Sequence, residues 1–346
     1  DRFPWKKHPD LVHPDTYSLE ELKELIALAE ANYIEVVPLL DSLGHAEQYL
    51  CHPEYAHLKE RPENIQEMCP QNPAVLEFMK ELWSEVLEIH KNSRYAHITG
   101  DEVFRMSEGF CPECAKYAKE GKLAELFTSY YSKLSDWIIS KGKQPVIWGD
   151  MLLKHSENIE TFPRSMIIND WCYYGLEEPY WNFKNFEKDA EGKCDEKRVQ
   201  LLGKYWKGPS ANEHPAYPTI RFFRDQNFKT LAATAASDEN AGRFPASRLR
   251  SRFANNMSLA LAAAEADSEG LLITFLSNYK SMEGAWFGIL AGADFSWNAR
   301  RESFEVFAER FSINFLTEKA DFMKICAENA EGKKKSEIKS STDCDR

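Results

Sequence analysis

Two adjacent carboxylates, Asp101 and Glu102, are the side chains of this 346-residue chain whose type and spacing best suit catalysis. They follow the short segment His97-Ile-Thr-Gly, where a predicted strand reaches its polar end. Neighbouring side chains on a strand point to opposite sides, so the two would reach one ligand from different directions. Mutual repulsion and aromatic surroundings would raise the pKa of one carboxyl, which would then serve as an acid near neutral pH. Taken alone, an acidic pair also fits a helix N-terminus, where the helix dipole stabilises it.

Helices and short apolar strands alternate along the chain and would position this pair. Ser18-Leu-Glu-Glu21 is a capping box that begins one helix, and Asn72-Pro73 begins another. Apolar residues at helical spacing predict further helices at 126–139, 156–161, 219–227, 246–265, 283–297 and 302–316. Short apolar runs predict strands near 34, 95, 145, 166, 230 and 271.

This alternation is typical of an α/β protein with a parallel sheet. Polar or aromatic residues end most of the strands, as in a (β/α)8 TIM barrel, whose active site lies at the carboxyl ends of its strands. A doubly wound sheet is the competing fold, but neither a G-x-G-x-x-G turn nor a P-loop is found. We therefore predict a TIM barrel over residues 1–316 that lacks the first strand and most of the second. A polar C-terminal tail is predicted over 317–346.

Composition and charge exclude several classes of protein. The chain is 43% hydrophobic and carries a formal net charge of −12, which disfavours a nucleic-acid or anionic-membrane partner. It contains no apolar run of the ~18 residues that a spanning helix needs. Eight scattered cysteines and the absence of a visible signal peptide favour a reducing compartment such as the cytoplasm. The oligomeric state is left open.

The order of several motifs resembles glycoside hydrolase family 20, and within it the hexosaminidase D-like branch of β-N-acetylhexosaminidases. These motifs are Gly44-His45-Ala-Glu47, HPEYAHL, MCPQNP, HITGDEVF, CPECAKYA and VIWGDML, in that order. The likeness runs from residue 1 to about residue 300. It is strongest over residues 33–151.

The resemblance implies an exo-acting enzyme that removes terminal GlcNAc or GalNAc with retention of configuration. The acetamido oxygen of the substrate would attack the anomeric carbon and form an oxazolinium intermediate, without an enzyme nucleophile. Glu102 would be the general acid and then the base, while Asp101 would orient the acetamido group. The resemblance implies a glycan or glycoconjugate ending in N-acetylhexosamine as the substrate, with no metal and no organic cofactor.

The same resemblance places His45 between the general acid and an aspartate of the second strand, here Asp1. A histidine held by a carboxylate would tune the proton affinity of Glu102, although a lone histidine is more often a surface or core residue. Trp148 and Trp171 would form aromatic walls around the sugar ring.

Four further residues, Asp150, Asp170, Tyr279 and Glu283, are candidate partners of sugar hydroxyls, and ordinary polarity at a barrel rim is the competing interpretation. In the final strand the family usually has a tryptophan where this chain has Leu276. One wall of the sugar site is therefore expected to be absent, and the preference between GlcNAc and GalNAc stays open.

Cys111-Pro-Glu-Cys114 has the spacing of half a zinc knuckle. No second pair follows at a suitable spacing. We therefore interpret the two cysteines as a structural pair of thiols and not as a metal site or a redox centre.

Two other functions remain open. One is a sugar-binding barrel of the same family that has lost catalysis. The other is a glycosidase with a protein nucleophile, which would need a second carboxyl about 5–5.5 Å from Glu102. Because family barrels begin with a strand that carries a sugar-binding arginine, and Arg2 lies in the wrong strand, we expect a fragment of a longer chain. Its open edge would make it prone to aggregation and a weak binder of sugar.

Overall fold

The computed structural model describes residues 2–106, 111–173, 195–206, 217–237, 249–275 and 285–315. The chain divides into two compact units. The first comprises Asp1–Trp171, Lys184–Lys207 and Phe222–Thr230, and the second comprises Cys172–Phe183, Gly208–Arg221 and Leu231–Arg346. Within the described ranges, no helix is both long enough and apolar enough to cross a bilayer.

Helices dominate both units. The α-helices are α1 (Leu19–Ala31), α2 (Glu47–Leu50), α3 (Pro73–Ile89), α4 (Pro112–Lys119), α5 (Leu123–Ser140), α6 (Asp150–Lys154), α7 (Glu196–Trp206), α8 (Pro218–Asp225), α9 (Leu249–Glu265), α10 (Trp286–Trp297) and α11 (Phe304–Phe315). Short 3-10 helices cover Pro9–Leu11, Pro53–Leu58 and Ser156–Thr161. The strands are β1 (Tyr95–His97), β2 (Gln144–Trp148), β3 (Ile167–Trp171), β4 (Lys229–Ala235) and β5 (Gly270–Thr274).

Both predicted helix starts are confirmed by their caps. The Ser18 side chain accepts a hydrogen bond from the Glu21 amide, and the Glu21 carboxylate accepts one from the Ser18 amide. The Asn72 side chain accepts a hydrogen bond from the Ala74 amide at 3.0 Å. These bonds satisfy backbone donors that a first helical turn leaves unpaired.

The strands of each unit pair in parallel and in chain order. In the first unit β1 pairs with β2, with His97 opposite Val146, and β2 pairs with β3. In the second unit β4 pairs with β5, from Leu231 opposite Gly270 to Ala235 opposite Thr274. Parallel neighbours require a crossover, which helices supply here. The predicted α/β class is confirmed, and the fold is a partial (β/α) barrel.

The apolar run near residue 34 does not form the strand that the sequence predicts. Within the described part of the first unit, this run pairs only through an isolated parallel bridge between Leu39 and His97. Pro38 accepts a bond from the His97 amide but has no amide hydrogen of its own to extend a ladder. The other five predicted strands are present. Helix α7 was not predicted, and the predicted tail at 317–346 lies outside the described residues.

The core of the first unit packs α3 and α5 against β1 and β2. Its fully buried side chains include Leu82, Trp83, Phe127, Tyr131 and Ile147. The core of the second unit is a cluster of aromatic rings from α9, α10 and α11. Helix α1 buries none of its residues, although apolar side chains recur on it at helical spacing.

Gly100, between β1 and the acidic pair, gives a direct test of this packing. Its φ is +96°, and an added Cβ would lie 2.9 Å from Cγ1 of Ile147 and 3.0 Å from Cζ of Tyr131. We expect Gly100→Ala to lower the free energy of unfolding by at least about 2 kcal/mol. The strain of a left-handed backbone at alanine and the overpacking of the core would both destabilise the fold. Urea denaturation measures the change.

Gly142→Ala is the matched control. Gly142 also has a positive φ, +75°, but a Cβ there would meet nothing within 4 Å. Only the backbone strain applies, so a loss of about 1 kcal/mol is expected. Equal losses for the two variants would contradict the packing assigned to Gly100.

Candidate active site

Three of the predicted site residues lie together beyond the carboxyl end of β1. Nε2 of His45 is 3.3 Å from Oδ2 of Asp101 and 3.3 Å from Oε2 of Glu102. The side chains of His45 and Glu102 are 44% and 45% exposed, so a ligand can reach both. One imidazole therefore joins the two carboxylates.

The acidic pair does not lie on the strand itself. β1 ends at His97, and an irregular segment with left-handed backbone leads to the pair, with φ of +53° at Thr99 and +52° at Glu102. His45 also has a left-handed φ of +52°. Such angles are uncommon for residues other than glycine and are concentrated at functional sites.

The Gly44-His45 sequence brings two loops into close contact. A Cβ at position 44 would lie 2.7 Å from the carbonyl oxygen of Asp101, so a side chain there would push the loops apart. Two backbone hydrogen bonds join the His45 loop to the segment around residue 67. The Ala46 amide donates to the Gln66 carbonyl, and the Met68 amide donates to the Leu43 carbonyl. The glycine thus allows the histidine to reach the acidic pair.

The electrostatics differ from the expectation of a raised pKa within the pair. Hydrogen bonds to Asp101 and then to Glu102 raise the pKa of His45 to about 11, so the ring is an imidazolium at neutral pH. The same contact lowers the pKa of Glu102. A cation between two carboxylates offsets their repulsion, which the sequence argument counted without the histidine.

Raised pKa values occur instead on two neighbouring aspartates. Burial, with a smaller contribution from the charge of Asp101, raises the pKa of Asp150 to about 7. The same two causes, in the same order, raise the pKa of Asp41 to about 6. Gln48 donates a hydrogen bond to Asp41 at 3.0 Å. Acidic charge around the pair is therefore partly neutralised by protons.

Asp150 connects the acidic pair to an aromatic side chain. Oδ2 of Asp150 accepts the backbone amide hydrogen of Glu102 at 2.9 Å, and Oδ1 accepts the indole N–H of Trp171 at 3.3 Å. Its two oxygens hold both groups in place, so in this structure Asp150 acts as a positioning residue. Its binding of a sugar hydroxyl stays a prediction.

The second predicted aromatic wall, Trp148, packs against a buried histidine. The rings of His97 and Trp148 are 4.5 Å apart between centroids. Nδ1 of His97 accepts the Thr99 amide hydrogen, and burial lowers the pKa of the ring to about 3. The side-chain amide of Asn169 lies 3.3 Å from Nε2 of the same ring. These contacts hold a neutral imidazole against Trp148.

Of the remaining predicted residues, Asp170 is the one that lies within the described part of the chain. Asp170 lies at the end of β3 and is buried, next to Trp171. Asp1, Tyr279 and Glu283, and the departure at Leu276, lie outside the described residues. Their roles in substrate binding stay predictions.

Sequence reasoning assigned no role to Asp41 or His97. Asp41 ends the apolar run VVPLLD, and His97 begins the HITGDE segment, so both stood next to residues that were selected. Their position at strand ends was the available signal. Their contacts with the site depend on the register of β1 with its neighbours, which motif spacing does not reveal.

Parallel strands with intervening helices, and an acidic pair beyond the carboxyl end of β1, define a partial (β/α) barrel with a candidate acid–base site at its strand ends. The model of the family "Glycosyl hydrolase family 20, catalytic domain" matches residues 4–181, a little more than half of the chain. The chain belongs to glycosyl hydrolase family 20.

Two curated relatives match part of the chain. Hexosaminidase D of Bos taurus is 30% identical over 155 residues, which are 44% of this chain and 45% of the relative. Hexosaminidase D of Homo sapiens is 29% identical over 208 residues, covering 59% of this chain and 40% of the relative. The matched region thus spans less than half the length of either relative.

A solved structure supports the fold over most of the chain. The β-N-acetylhexosaminidase from Bacteroides fragilis superposes with a TM-score of 0.62 at 19% identity, covering 91% of this chain and 61% of that one. At this identity the likeness concerns the fold alone.

The contact of His45 with the pair predicts a change in the titration of Glu102. Replacing His45 by glutamine removes the imidazolium that lowers the pKa of Glu102 and leaves the repulsion from Asp101. We expect the pKa of Glu102 to rise in His45→Gln. Titration of the side-chain carboxyl ¹³C signal measures it. His57→Gln, at an exposed histidine outside the cluster, should leave it unchanged. An unchanged or lower pKa in His45→Gln would be evidence against the assigned contact.

Proposed function

We propose that the chain is an exo-acting β-N-acetylhexosaminidase that removes terminal GlcNAc or GalNAc from glycans or glycoconjugates. The observation that carries the proposal is the cluster of His45, Asp101 and Glu102 within the family-matched region. The names of the curated relatives and of the structural neighbour support the substrate class.

The adjacent carboxylates support a retaining, substrate-assisted mechanism. One side chain, Glu102, would protonate the leaving glycosidic oxygen and later activate water. The other, Asp101, would accept the acetamido N–H and stabilise the positive charge that develops as the acetamido oxygen attacks the anomeric carbon. Because the nucleophile belongs to the substrate, holding its geometry supplies part of the rate enhancement.

His45 supplies the proton that the general acid needs. Without substrate the proton resides on His45, and Glu102 is ionised. A bound sugar would exclude water from this half-exposed pair, and a dry environment favours the neutral acid and imidazole over the ion pair. The proton would pass from Nε2 to Oε2 across 3.3 Å and return when Glu102 deprotonates water.

The aromatic walls would complete the binding of the sugar. Trp148 is held by His97, and Trp171 is held by Asp150, so both rings are positioned before substrate arrives. Rigid aromatic faces bind the apolar side of a pyranose ring with little loss of conformational freedom. Asp150 and Asp170, and in the residues outside the described ranges Asp1, Tyr279 and Glu283, are proposed to bind its polar groups.

Hydrolysis of chromogenic β-GlcNAc and β-GalNAc substrates, with and without a thiazoline analogue of the intermediate, tests the proposed function. We expect hydrolysis that the thiazoline inhibits. Binding of the thiazoline without hydrolysis would support the alternative of a catalytically impaired sugar-binding barrel. If the chain neither binds the thiazoline nor hydrolyses the substrates, both the hexosaminidase proposal and the sugar-binding alternative are overturned.

Glu102→Gln tests the role of the acid. We expect kcat for a poor leaving group to fall by about 10²–10⁴-fold, because the amide cannot protonate the glycosidic oxygen. The loss should be smaller for an aryl leaving group, which needs little protonation. Glu54→Gln, at an exposed glutamate, is the matched control. Equal losses for good and poor leaving groups would exclude Glu102 as the acid.

Asp101→Asn tests the contact with the acetamido group. The amide cannot stabilise the developing positive charge, so hydrolysis of N-acetyl substrates should fall on the order of 10²-fold or more. Residual activity on β-glucosides, which have a 2-hydroxyl, should fall far less, and Asp136→Asn on α5 should change neither. A glycosyl ester trapped on any Asp or Glu would show a protein nucleophile and contradict the mechanism.

A further inference from the structure

Four side chains that the catalytic cluster does not use converge elsewhere in the first unit. They are Glu60, Cys69, Cys111 and Cys114, and their carboxylate oxygen and three sulfurs all lie within 4.8 Å of one another. Sγ of Cys69 is 3.7 Å from Sγ of Cys114. Three of the four residues are buried, and Cys111 is partly exposed.

The first half of this cluster is the CxxC motif. Cys111 is the N-cap of α4, and Cys114 lies in its first turn. Residues three apart lie on the same side of a helix, so the two sulfurs point the same way. The N-terminal end of the helix dipole stabilises thiolates at this position.

The second half of the cluster comes from a hairpin. Lys59 and Met68 form an antiparallel bridge, flanked by Glu60 on one strand and Cys69 on the other. Because side chains alternate along a strand, the two residues that flank the bridge share one face of the hairpin. That face turns the carboxylate and the third sulfur towards the start of α4.

Glu60 is the residue of the cluster for which a cation partner would matter most. Its residue is 1% exposed, and in the described part of the chain neither carboxylate oxygen has a hydrogen-bond partner. A buried carboxylate without a hydrogen bond or a cation is strongly unfavourable. A cation among the three sulfurs would satisfy it.

We propose that Glu60, Cys69, Cys111 and Cys114 bind a structural zinc ion. With Zn–S bonds near 2.3 Å, a tetrahedral site separates its sulfurs by about 3.8 Å, close to the 3.7 Å observed. A disulfide would bring the two sulfurs to about 2.05 Å. Three thiolates select zinc over the oxygen-seeking magnesium and calcium. Four protein ligands leave no open position, so the ion is structural.

The proposed ion would fasten the hairpin that supports both loops of the catalytic cluster. The carboxylate of Glu67, between Glu60 and Cys69, accepts the backbone amide hydrogens of Phe104 and Arg105 at 2.9–3.0 Å. The same hairpin bonds the loop that carries His45 through Gln66 and Met68. The zinc site stands independently of the proposed function, and only this consequence for catalysis depends on it.

This assignment differs from the sequence interpretation of a thiol pair without a metal. The motif Cys111-Pro-Glu-Cys114 supplies two ligands, but no second CxxC follows it at a suitable spacing. The other ligands are instead a glutamate and a single cysteine. The register of the hairpin brings them together, and that register carries no motif.

The test is the metal content of the full chain purified under reducing conditions with zinc, together with cobalt substitution. We expect about one zinc per chain in the wild type and in Cys51→Ser, an exposed cysteine outside the cluster. Cys69→Ser and Cys114→Ser should fall below about a tenth of that. Cobalt added to metal-free wild type should show thiolate-to-cobalt charge transfer and tetrahedral d–d absorption.

Two further readouts keep the test decisive if a cysteine variant fails to fold. Glu60→Gln keeps the shape and the three sulfurs, so it should still bind cobalt, with weaker affinity and a changed d–d spectrum. Removing zinc from the wild type should speed hydrogen exchange at the amides of Phe104 and Arg105. Absence of bound metal in the wild type, unchanged metal content in the cysteine variants, or a mass that shows a Cys69–Cys114 disulfide would each overturn the proposal.

Discussion

The contact between one imidazolium and two carboxylates is the interaction on which the rest of the site depends. Asp101 and Glu102 are adjacent in the chain, and their charges would repel strongly in a half-buried position. His45 lies 3.3 Å from each and carries the compensating charge. The two carboxylates can therefore remain close together, as their proposed roles on neighbouring groups of one sugar require. The same contact stores a proton next to the carboxylate that is proposed to deliver it.

This arrangement demands unusual backbone on both sides of it. His45 and Glu102 both adopt left-handed φ, and Gly44 allows their loops to approach within contact distance. Such strain persists only where the surroundings hold it. Here Asp150 holds the amide of Glu102, and the hairpin around Glu67 holds the segments that follow. A zinc ion bound there would link that hairpin to the start of α4 through its coordinate bonds, in a region with little regular secondary structure.

The sequence predicted the repeating part of the fold well and the irregular part poorly. Helix starts at Ser18 and Asn72 depend on local hydrogen bonds, which motif spacing records, and the structure confirms them. The strand near residue 34 became an isolated bridge, because pairing depends on neighbours distant in sequence. Among the site residues, the acidic pair and His45 followed from motif order. The pKa of Glu102, the role of Asp150 and the Glu60–Cys69 partnership required distances between segments that no local pattern contains.

In the proposed mechanism the acetamido group of the substrate is the nucleophile, Asp101 orients it, and Glu102 protonates the leaving oxygen. The most direct test of this mechanism compares kcat/KM for β-glycosides whose N-acetyl group carries zero, one, two or three fluorine atoms. Fluorine withdraws electrons from the acetamido oxygen and makes it a weaker nucleophile. A nucleophilic acetamido group predicts a steep decrease of kcat/KM with each added fluorine. A rate that does not depend on fluorination would contradict it.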